Sequence, residues 1–483
     1  MKILEDGRWI RPLAAMLAML SFPVASMAEN KMAGDEISKD KTVDQEILDI
    51  LRREGKIDEA RYEELSQQAE EEAAAARGGP EDFTIRFSNG LRINRNDGQV
   101  KLKLGGRIQA DFASISVDQD LKNTRDDFGL GERIGGDGEG VEFRRTRIYV
   151  SGELYDRIYF KSQYDFAGGD VSIKDNYIGM KGIPWLGKIQ FGHMKEPFSL
   201  EELTSSKNIT FVERSLGSIF DSSRNFGVLF KNTYFDKRMT ASAGVFAETG
   251  STGKYFSDDT DMNVTGRITG LPLYQDDGRF LIHLGASLIQ RISDDAERRF
   301  RQRPEIHLAK RYVDTGEYDS DGASILGLEF AAILGPVSIQ AEHRHAFIDN
   351  RGPSSLGDPI TNNNFQIHAS NVELSWFVTG ENRNYQTSSG TLGRITPKRA
   401  FDPEGGGYGA WEVAVRYSHI DLQDEGMNGG EEQNVTVGTN WYLYSNVRLS
   451  LNYVYADVDD TGDFLGNASG DLHSVHSRLQ VDF

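Results

Sequence analysis

Lys101, Lys103 and Arg107 share one face of a run, Val100–Phe112, in which polar and apolar or glycine positions alternate. Arg144, Arg145 and Arg147 crowd a second run, and Arg416, Arg448 and Arg478 take polar positions in three late ones. Fixed cations along one face of an extended strand make and break no covalent bonds. They hold anions: a guanidinium offers forked donors to oxyanion oxygens, and an ammonium a compact charge. A hydrated passage that favours anions needs such charge at its narrowest point and no nucleophile or base. The bland alternative is a wetted wall with acids placed opposite the bases.

No other constellation in the chain does chemistry. His343 and His345 flank Arg344, and His473 and His476 sit near the end, but no third metal ligand stands at a convincing spacing. They read as wall or surface histidines. Asp457 to Gly462 echoes a calcium loop whose twelfth position is Ala468, so the closing carboxylate is missing. The glycines of 129–140 lack the strand-to-helix setting of a phosphate cradle. There is no spaced Ser/His/Asp set, so the chain reads as a non-enzyme without metal or cofactor. Zero cysteines rule out disulfides, iron–sulfur clusters and thiolate zinc. With 54 Lys+Arg against 74 Asp+Glu, net −20, the chain is no general nucleic-acid binder.

The elements that must position these cations fall into three parts. Lys2, Arg8 and Arg11, the apolar run Leu13–Leu20 and the small residues Ser26 and Ala28 read as a secretory leader (1–28), cleaved after Ala28. The run is shorter than the roughly 20 residues a helical span needs. Residues 29–80 carry a net charge of −7. After a Thr42 cap, Val43, Ile47, Ile50 and Leu51 make one apolar helical face, resumed at Ile57, Ala60 and Leu65. This prefix reads as a short coiled coil or docking hairpin, or else an acidic linker, closed by Gly78-Gly79-Pro80.

From about residue 83 the period changes to 2. Sixteen alternating runs follow, beginning at 100–112 and 141–152 and ending at 446–457 and 473–483, with Phe83–Ile93 as an additional flap. Connections after odd-numbered runs are mostly long, among them 113–140, 196–224 and 292–323, and those after even-numbered runs mostly short. Two depart from this: 167–170 is short and 378–407 long. A soluble sandwich has no reason to alternate loop length, whereas a barrel in an outer membrane does. Closure removes strand edges that lipid cannot tolerate. The expected fold is all-β: a transmembrane antiparallel β-barrel of about sixteen strands over 81–483, behind a helical prefix. Trp441-Tyr442 and the pair Tyr453/Tyr455 suit interfacial aromatic girdles.

Three stretches resemble the phosphate-selective porin O/P family: GVEFRRTRIYVSGELYD (140–156), VSIKDNYIGM (171–180) and GHMKEPFSLEELTSSKNITFVERS (192–215). The resemblance spans about 40–483 and includes the terminal Phe483. It implies a sixteen-stranded homotrimeric barrel, a third outer loop (here 196–224) that narrows the lumen, and passive passage of anions such as phosphate. It also implies lumen arginines at Arg144, Arg145 and Arg147. Phosphate-selective members carry an ion-contacting lysine two residues before a Thr-Ser-Ser triplet. Here the triplet is Thr204-Ser205-Ser206 and the matching residue is Glu202, with Lys207 just beyond. Hydroxyls and N–H groups can still hold an oxyanion, but a throat carboxylate repels it.

The expectation is an outer-membrane porin for small hydrophilic solutes, biased toward phosphate, polyphosphate or chloride. A general or weakly cation-favouring porin is the first alternative, supported by Glu202 and a net charge of −14 over 81–483. A barrel-anchored protein whose 29–80 prefix grips the cell wall or a periplasmic partner is the second.

Overall fold

A computed structural model describes residues 82–123, 136–253, 261–353 and 364–483, with positions 48, 51, 56, 62 and 65. The chain divides into two units, 1–79 and 80–483. In the first, Leu48, Leu51, Tyr62 and Leu65 are helical. The leader and the rest of the predicted prefix helix lie outside the described residues.

The second unit is a closed antiparallel barrel of sixteen strands. They are β1 (Val100–Val117), β2 (Gly138–Leu154), β3 (Ile158–Asp165), β4 (Ser172–Ile183), β5 (Gly187–Lys195), β6 (Arg224–Tyr234), β7 (Met239–Ala247) and β8 (Asp261–Gln275). Then come β9 (Phe280–Arg298), β10 (Tyr318–Leu334), β11 (Val337–Pro353), β12 (Phe365–Phe377), β13 (Ala410–Asp424), β14 (Met427–Tyr444), β15 (Val447–Asp460) and β16 (Gly470–Asp482). Each strand pairs with the next, and β16 returns to β1 from Leu472↔Val117 to Asp482↔Arg107. The terminal Phe483 finishes the seam by exchanging backbone hydrogen bonds with Gly106, at 2.8 and 3.2 Å. A side chain at Gly106 would meet the Phe483 ring, so glycine is required there. The expected flap is a hairpin, Phe83–Phe87 with Leu91–Arg95, that pairs with β1 below the end of β16.

All sixteen predicted runs are strands, and several extend further than the alternation did. β9 runs seven residues past the predicted end at 291, to Arg298. Beyond the apolar band both faces of a strand are polar, so the period-2 signal fades while the hydrogen-bonded pairing continues.

Side-chain placement is inverted relative to a soluble protein. The largest fully buried side chains include Arg344, Arg383, Arg416, Arg448 and Arg478, whereas Leu328, Val437, Leu284 and Leu374 face outward and exposed. Apolar area turned outward is favourable only against hydrocarbon. Trp411 and Trp441 stack outward at the rim where both ends of the barrel chain lie, here called the inner rim, with ring centroids 5.1 Å apart. Of the girdle pair, Trp441 faces out, while Tyr442 is buried in the lumen on Glu412. Adjacent strand residues point to opposite faces, so the two cannot share a girdle.

Inner-rim turns are short, for example 155–157, 184–186 and 335–336, and 378–409 is the long exception as expected. At the outer rim 166–171 is short, and 425–426 is a two-residue turn where a longer loop was expected.

Candidate functional site: the constricted lumen

Connection 196–223 leaves β5 and folds into the barrel. Phe198, Leu216 and Phe220 pack with Ile289, Ile325, Ile348 and Ile367, apolar side chains on the lumen face of β9–β12. Leu200 packs with Leu281 and Ile333. The segment starts with a one-turn helix, Leu200–Leu203, whose Glu202 N–H donates to the Ser199 hydroxyl at 3.0 Å. The Glu342 carboxylate on β11 accepts the N–H groups of Leu200 and Glu201 at 3.1 and 2.8 Å.

A loop buried in a barrel must find donors for its carbonyls, because no strand pairs with it. Arginines of the wall, and Arg383 of the inner connection 378–409, supply them. Arg448 donates to the Ile209 carbonyl at 2.8 Å, Arg383 to Asn208 at 3.2 Å and Arg416 to Glu213 at 3.1 Å. Arg478 donates to the Val212 carbonyl, and Asn440 to that of Thr210 at 2.8 Å. Three of these arginines are also tied to acids, Arg478 to Asp111 at 2.6 Å, Arg416 to Glu305 at 2.5 Å and Arg383 to Glu412, and on β11 Arg344 pairs with Asp221 at 3.1 Å.

Two further segments enter the lumen. From the outer rim, 299–317 buries Phe300, Ile306, Tyr312 and Val313. From the inner rim, 378–409 buries Arg383, Tyr385, Leu392 and Ile395.

The predicted site residues divide by depth. Arg107 is buried at the constriction and donates to the Ser206 hydroxyl at 2.7 Å and more weakly to Ser205 at 3.4 Å. Among the described residues no carboxylate lies within ion-pair distance of it. Gln109 donates to the Ser206 carbonyl at 3.2 Å, and the Thr204 hydroxyl accepts the Leu392 N–H at 3.2 Å. Lys207 pairs with Asp482 at 2.8 Å. Burial pushes its ammonium down to about 8, although Asp482 pulls the other way.

Arg144 and Arg145 are consecutive yet both face the lumen, because the register between β1 and β2 slips at this point: Gln109 opposes Arg145 and Ala110 opposes Phe143. A β-bulge at Arg144 turns the extra residue inward. Arg144 grips Glu213 through two hydrogen bonds of 2.9 and 3.2 Å, Arg145 donates to Gln109 at 3.0 Å, and Arg147 pairs with Asp165 at 2.7 Å. Lys101 and Lys103 sit at the inner rim. Lys101 pairs with Asp156 at 2.8 Å, and the Lys103 ammonium lies 5.7 Å from the Tyr149 ring centre.

Glu202 is clamped. Its carboxylate meets the Lys195 ammonium at 2.9 Å and the Arg214 guanidinium at 3.0 Å. Burial alone would push this carboxyl up, but Arg214, Lys195 and Arg224 outweigh burial and hold it at about 2. Glu202 is therefore an ionised partner of two cations, not a free charge in the throat.

Several lumen residues were not singled out from sequence. A second bulge, at Lys174 and Asp175 opposite Gln163, brings Asp175 to Lys161 at 2.5 Å and Arg224 at 2.7 Å. The outer segment is strongly basic: Arg298, Arg299, Arg301, Arg303, Lys310 and Arg311 fall within fourteen residues with one acid, Glu305. That density was visible in the sequence. Among the described residues Arg301, Arg303 and Arg311 have no carboxylate within ion-pair distance. Burial, with repulsion from Arg303 and Arg301, lowers Arg311 to about 10. Between this segment and 196–223 lies a cavity of about 220 Å³ lined by Arg144, Arg214, Arg303, His307, Glu202 and Glu213, among others.

His343 and His345 face outward from the barrel, and His368 on β12 joins them at ring-centre distances of 5.9–6.0 Å. Among the described residues, no group of three His, Cys, Asp or Glu is placed to hold a metal ion.

Comparison with known proteins follows the same lines. The model of the family "Phosphate-selective porin O and P" matches residues 102–483. Porin O of Pseudomonas aeruginosa is 24% identical over 445 residues, covering 83% of this chain and 93% of that protein. An uncharacterised protein of Caulobacter vibrioides is 27% identical over 398 residues, covering 80% of this chain and 75% of its own. The solved structure of an anion-selective porin from Comamonas acidovorans aligns with 80% of this chain and 100% of its own, at 12% identity and a TM-score of 0.46.

Proposed function

The chain belongs to the phosphate-selective porin O and P family of outer-membrane channels, and on that premise we propose that its pore favours small anions, phosphate and chloride among them. Family and fold point to a channel rather than an enzyme. The observation that carries the anion reading is the Arg107 guanidinium at the constriction, with hydroxyls for neighbours and no carboxylate in ion-pair reach. A charged forked donor beside two hydroxyls is a fitting partner for an oxyanion. The unpaired arginines of the outer segment support the same sign at the mouth, where they draw anions in by long-range attraction. Neutralisation of Glu202 by Lys195 and Arg214 removes the main objection raised by its sequence position.

Lys101 and Lys103 complete the basic series at the exit, Arg144, Arg145 and Arg147 line the approach, and Thr204, Ser205, Ser206 and Lys207 form the loop side of the throat. The barrel assembles as a homotrimer after export and removal of residues 1–28, with 29–80 in the periplasm, where a cell-wall contact is a second role. The test is the single-channel reversal potential of purified protein in a planar bilayer, in chloride and then with added phosphate. Anion-selective current blocked by phosphate supports the proposal. Cation-selective or unblocked current supports the general porin instead.

A further inference from the structure

Of the chain's 9 histidines, four face outward on three adjacent strands: His343 and His345 on β11, His368 on β12 and His419 on β13. His345 stands opposite His368, and Ser370 on β12 stands between His343 and His419. The rings of His343, His345 and His368 make a triangle with centres 5.9–6.0 Å apart. Each keeps a nitrogen free. His343 uses Nδ1 on the Ser370 hydroxyl at 2.8 Å, His345 uses Nε2 on Gln366 at 3.0 Å, and His368 makes no hydrogen bond among the described residues. The nitrogens do not converge as metal ligands would.

Their height on the barrel says what they meet. From the inner rim, the outward residues of β12 run Trp376, Leu374, Val372, Ser370, His368, and those of β13 run Trp411, Val413, Val415, Tyr417, His419. Eight residues along a tilted strand rise about 20 Å, and the apolar band of an outer-membrane barrel is about 25 Å tall. The rings therefore stand where acyl chains give way to headgroups, one step above Tyr417, an outward aromatic of the kind that forms a girdle at that level. On the β10 side the triangle is bordered by Leu326 and Leu328, exposed and apolar, opposite His345 and His343. The charges lie on the other side: Asp421 opposite His368, Glu431 of β14 held by His419 at 2.8 Å, and Asp424 accepting the Gln366 N–H at 2.5 Å. Arg344, between His343 and His345, points the other way and is buried in the lumen.

A ring nitrogen left bare against hydrocarbon is unfavourable, so this level needs a polar partner that also brings apolar chain. A phosphate monoester offers three acceptor oxygens to three rings. We propose that His343, His345 and His368 form a binding site for the phosphate headgroup of an outer-leaflet lipid, whose acyl chain lies along Leu326 and Leu328. Imidazole changes charge between pH 5 and 8. Protonation gives each ring two N–H groups and a positive charge, and the phosphate between the rings relieves their mutual repulsion, so the site tightens as pH falls. It faces lipid and takes no part in the conduit.

The probe is phosphatidic acid, offered with an excess of phosphatidylcholine to the full-length purified protein in neutral detergent, and native mass spectrometry counts the lipid retained. The wild type is expected to retain at least threefold more phosphatidic acid at pH 5.5 than at pH 8. The triple variant His343→Gln, His345→Gln, His368→Gln is expected to lose that preference while its single-channel reversal potential stays that of the wild type. Asp421→Asn removes a carboxylate from the edge of the site and is expected to raise retention at pH 8 about twofold, which keeps the test open if the triple variant does not fold. The proposal is overturned if the wild type retains both lipids alike at pH 5.5, if the triple variant retains phosphatidic acid as the wild type does, or if Asp421→Asn gains nothing. Equal displacement by inorganic phosphate at the same concentration would mean a site for the free ion, and a triple variant with a changed number of chains per particle would mean a contact between copies. Either result also overturns it.

Discussion

The two sides of the barrel lumen carry the same residue types to different ends. On β9–β16 Arg344, Arg416, Arg448 and Arg478 are fully buried beside a bed of isoleucines and alanines: Arg416 and Arg478 are shared between an acid and carbonyls of segment 196–223, Arg448 holds the Ile209 carbonyl, and Arg344 pairs with Asp221. On β1–β6 the lumen face is polar and partly open, with the Lys161 side chain 25% exposed where that of Arg478 is 0% exposed. Basic charge on a strand therefore does not identify a conduit. A cation whose donors are used up by buried loop backbone is a fastener, and one that keeps free donors toward water is available to a passing ion.

Arg478→Leu tests the fastener side and has the largest expected effect. It takes from Asp111 its guanidinium, leaving only His476 beside it, and frees the Val212 carbonyl, a loss of about 3–5 kcal/mol of the kind seen when one partner of a buried ion pair is removed. The unfolding midpoint in detergent reads it, and a midpoint equal to wild type would erase the distinction between the two walls.

Arg107→Gln tests the conduit side. A hydrogen bond to a charged group contributes about 1.5–3 kcal/mol, so phosphate block should weaken about tenfold or more. The unfolding midpoint should stay where it is, since no carboxylate is stranded. Loss of stability with unchanged block would move Arg107 into the fastener class.

A smaller effect is expected at the outer mouth. Replacing Arg301, Arg303 and Arg311 together by serine should lower anion current about two- to threefold at low ionic strength, with the difference vanishing near 1 M salt, where the screening length is about 3 Å. A deficit that persists at high salt would mean that the segment has moved, not merely lost charge.

The smallest effect belongs to Lys207. Its ammonium is lowered to about 8 by burial. Between that pH and the ordinary lysine value the unfolded chain binds the proton that the folded chain has released, so stability should rise with pH in this window. Over the same window the throat loses one positive charge, and anion selectivity should fall. Reversal potentials at pH 7 and 9.5 measure this, and Lys207→Arg should abolish the step.

The barrel was legible because alternation along a strand is local: Leu449 and Leu451 face out and Arg448 and Ser450 in whatever surrounds them. The depth and partners of the cations were not. At Arg144 and Arg145 no single face could be assigned, since two consecutive residues point the same way only where the register slips against β1. Glu202 read as a repelling charge because Lys195 and Arg214, its two partners, belong to different segments. The basic run 298–311 was in plain view, but its position over the mouth depends on packing against β14 and loop 196–223.

By itself, then, the sequence determined the strands, their lipid and water faces, the two connections that break the loop rhythm, one short and one long, and the family. These follow from the two-residue repeat of the pleat and from contiguous motifs. Only the tertiary structure decided which arginines fasten the loops, which face the passage, and where buried acids find a counter-charge. Those outcomes turn on charged side chains brought together across as many as 367 residues, as in Asp111 with Arg478, and no local pattern encodes such a meeting.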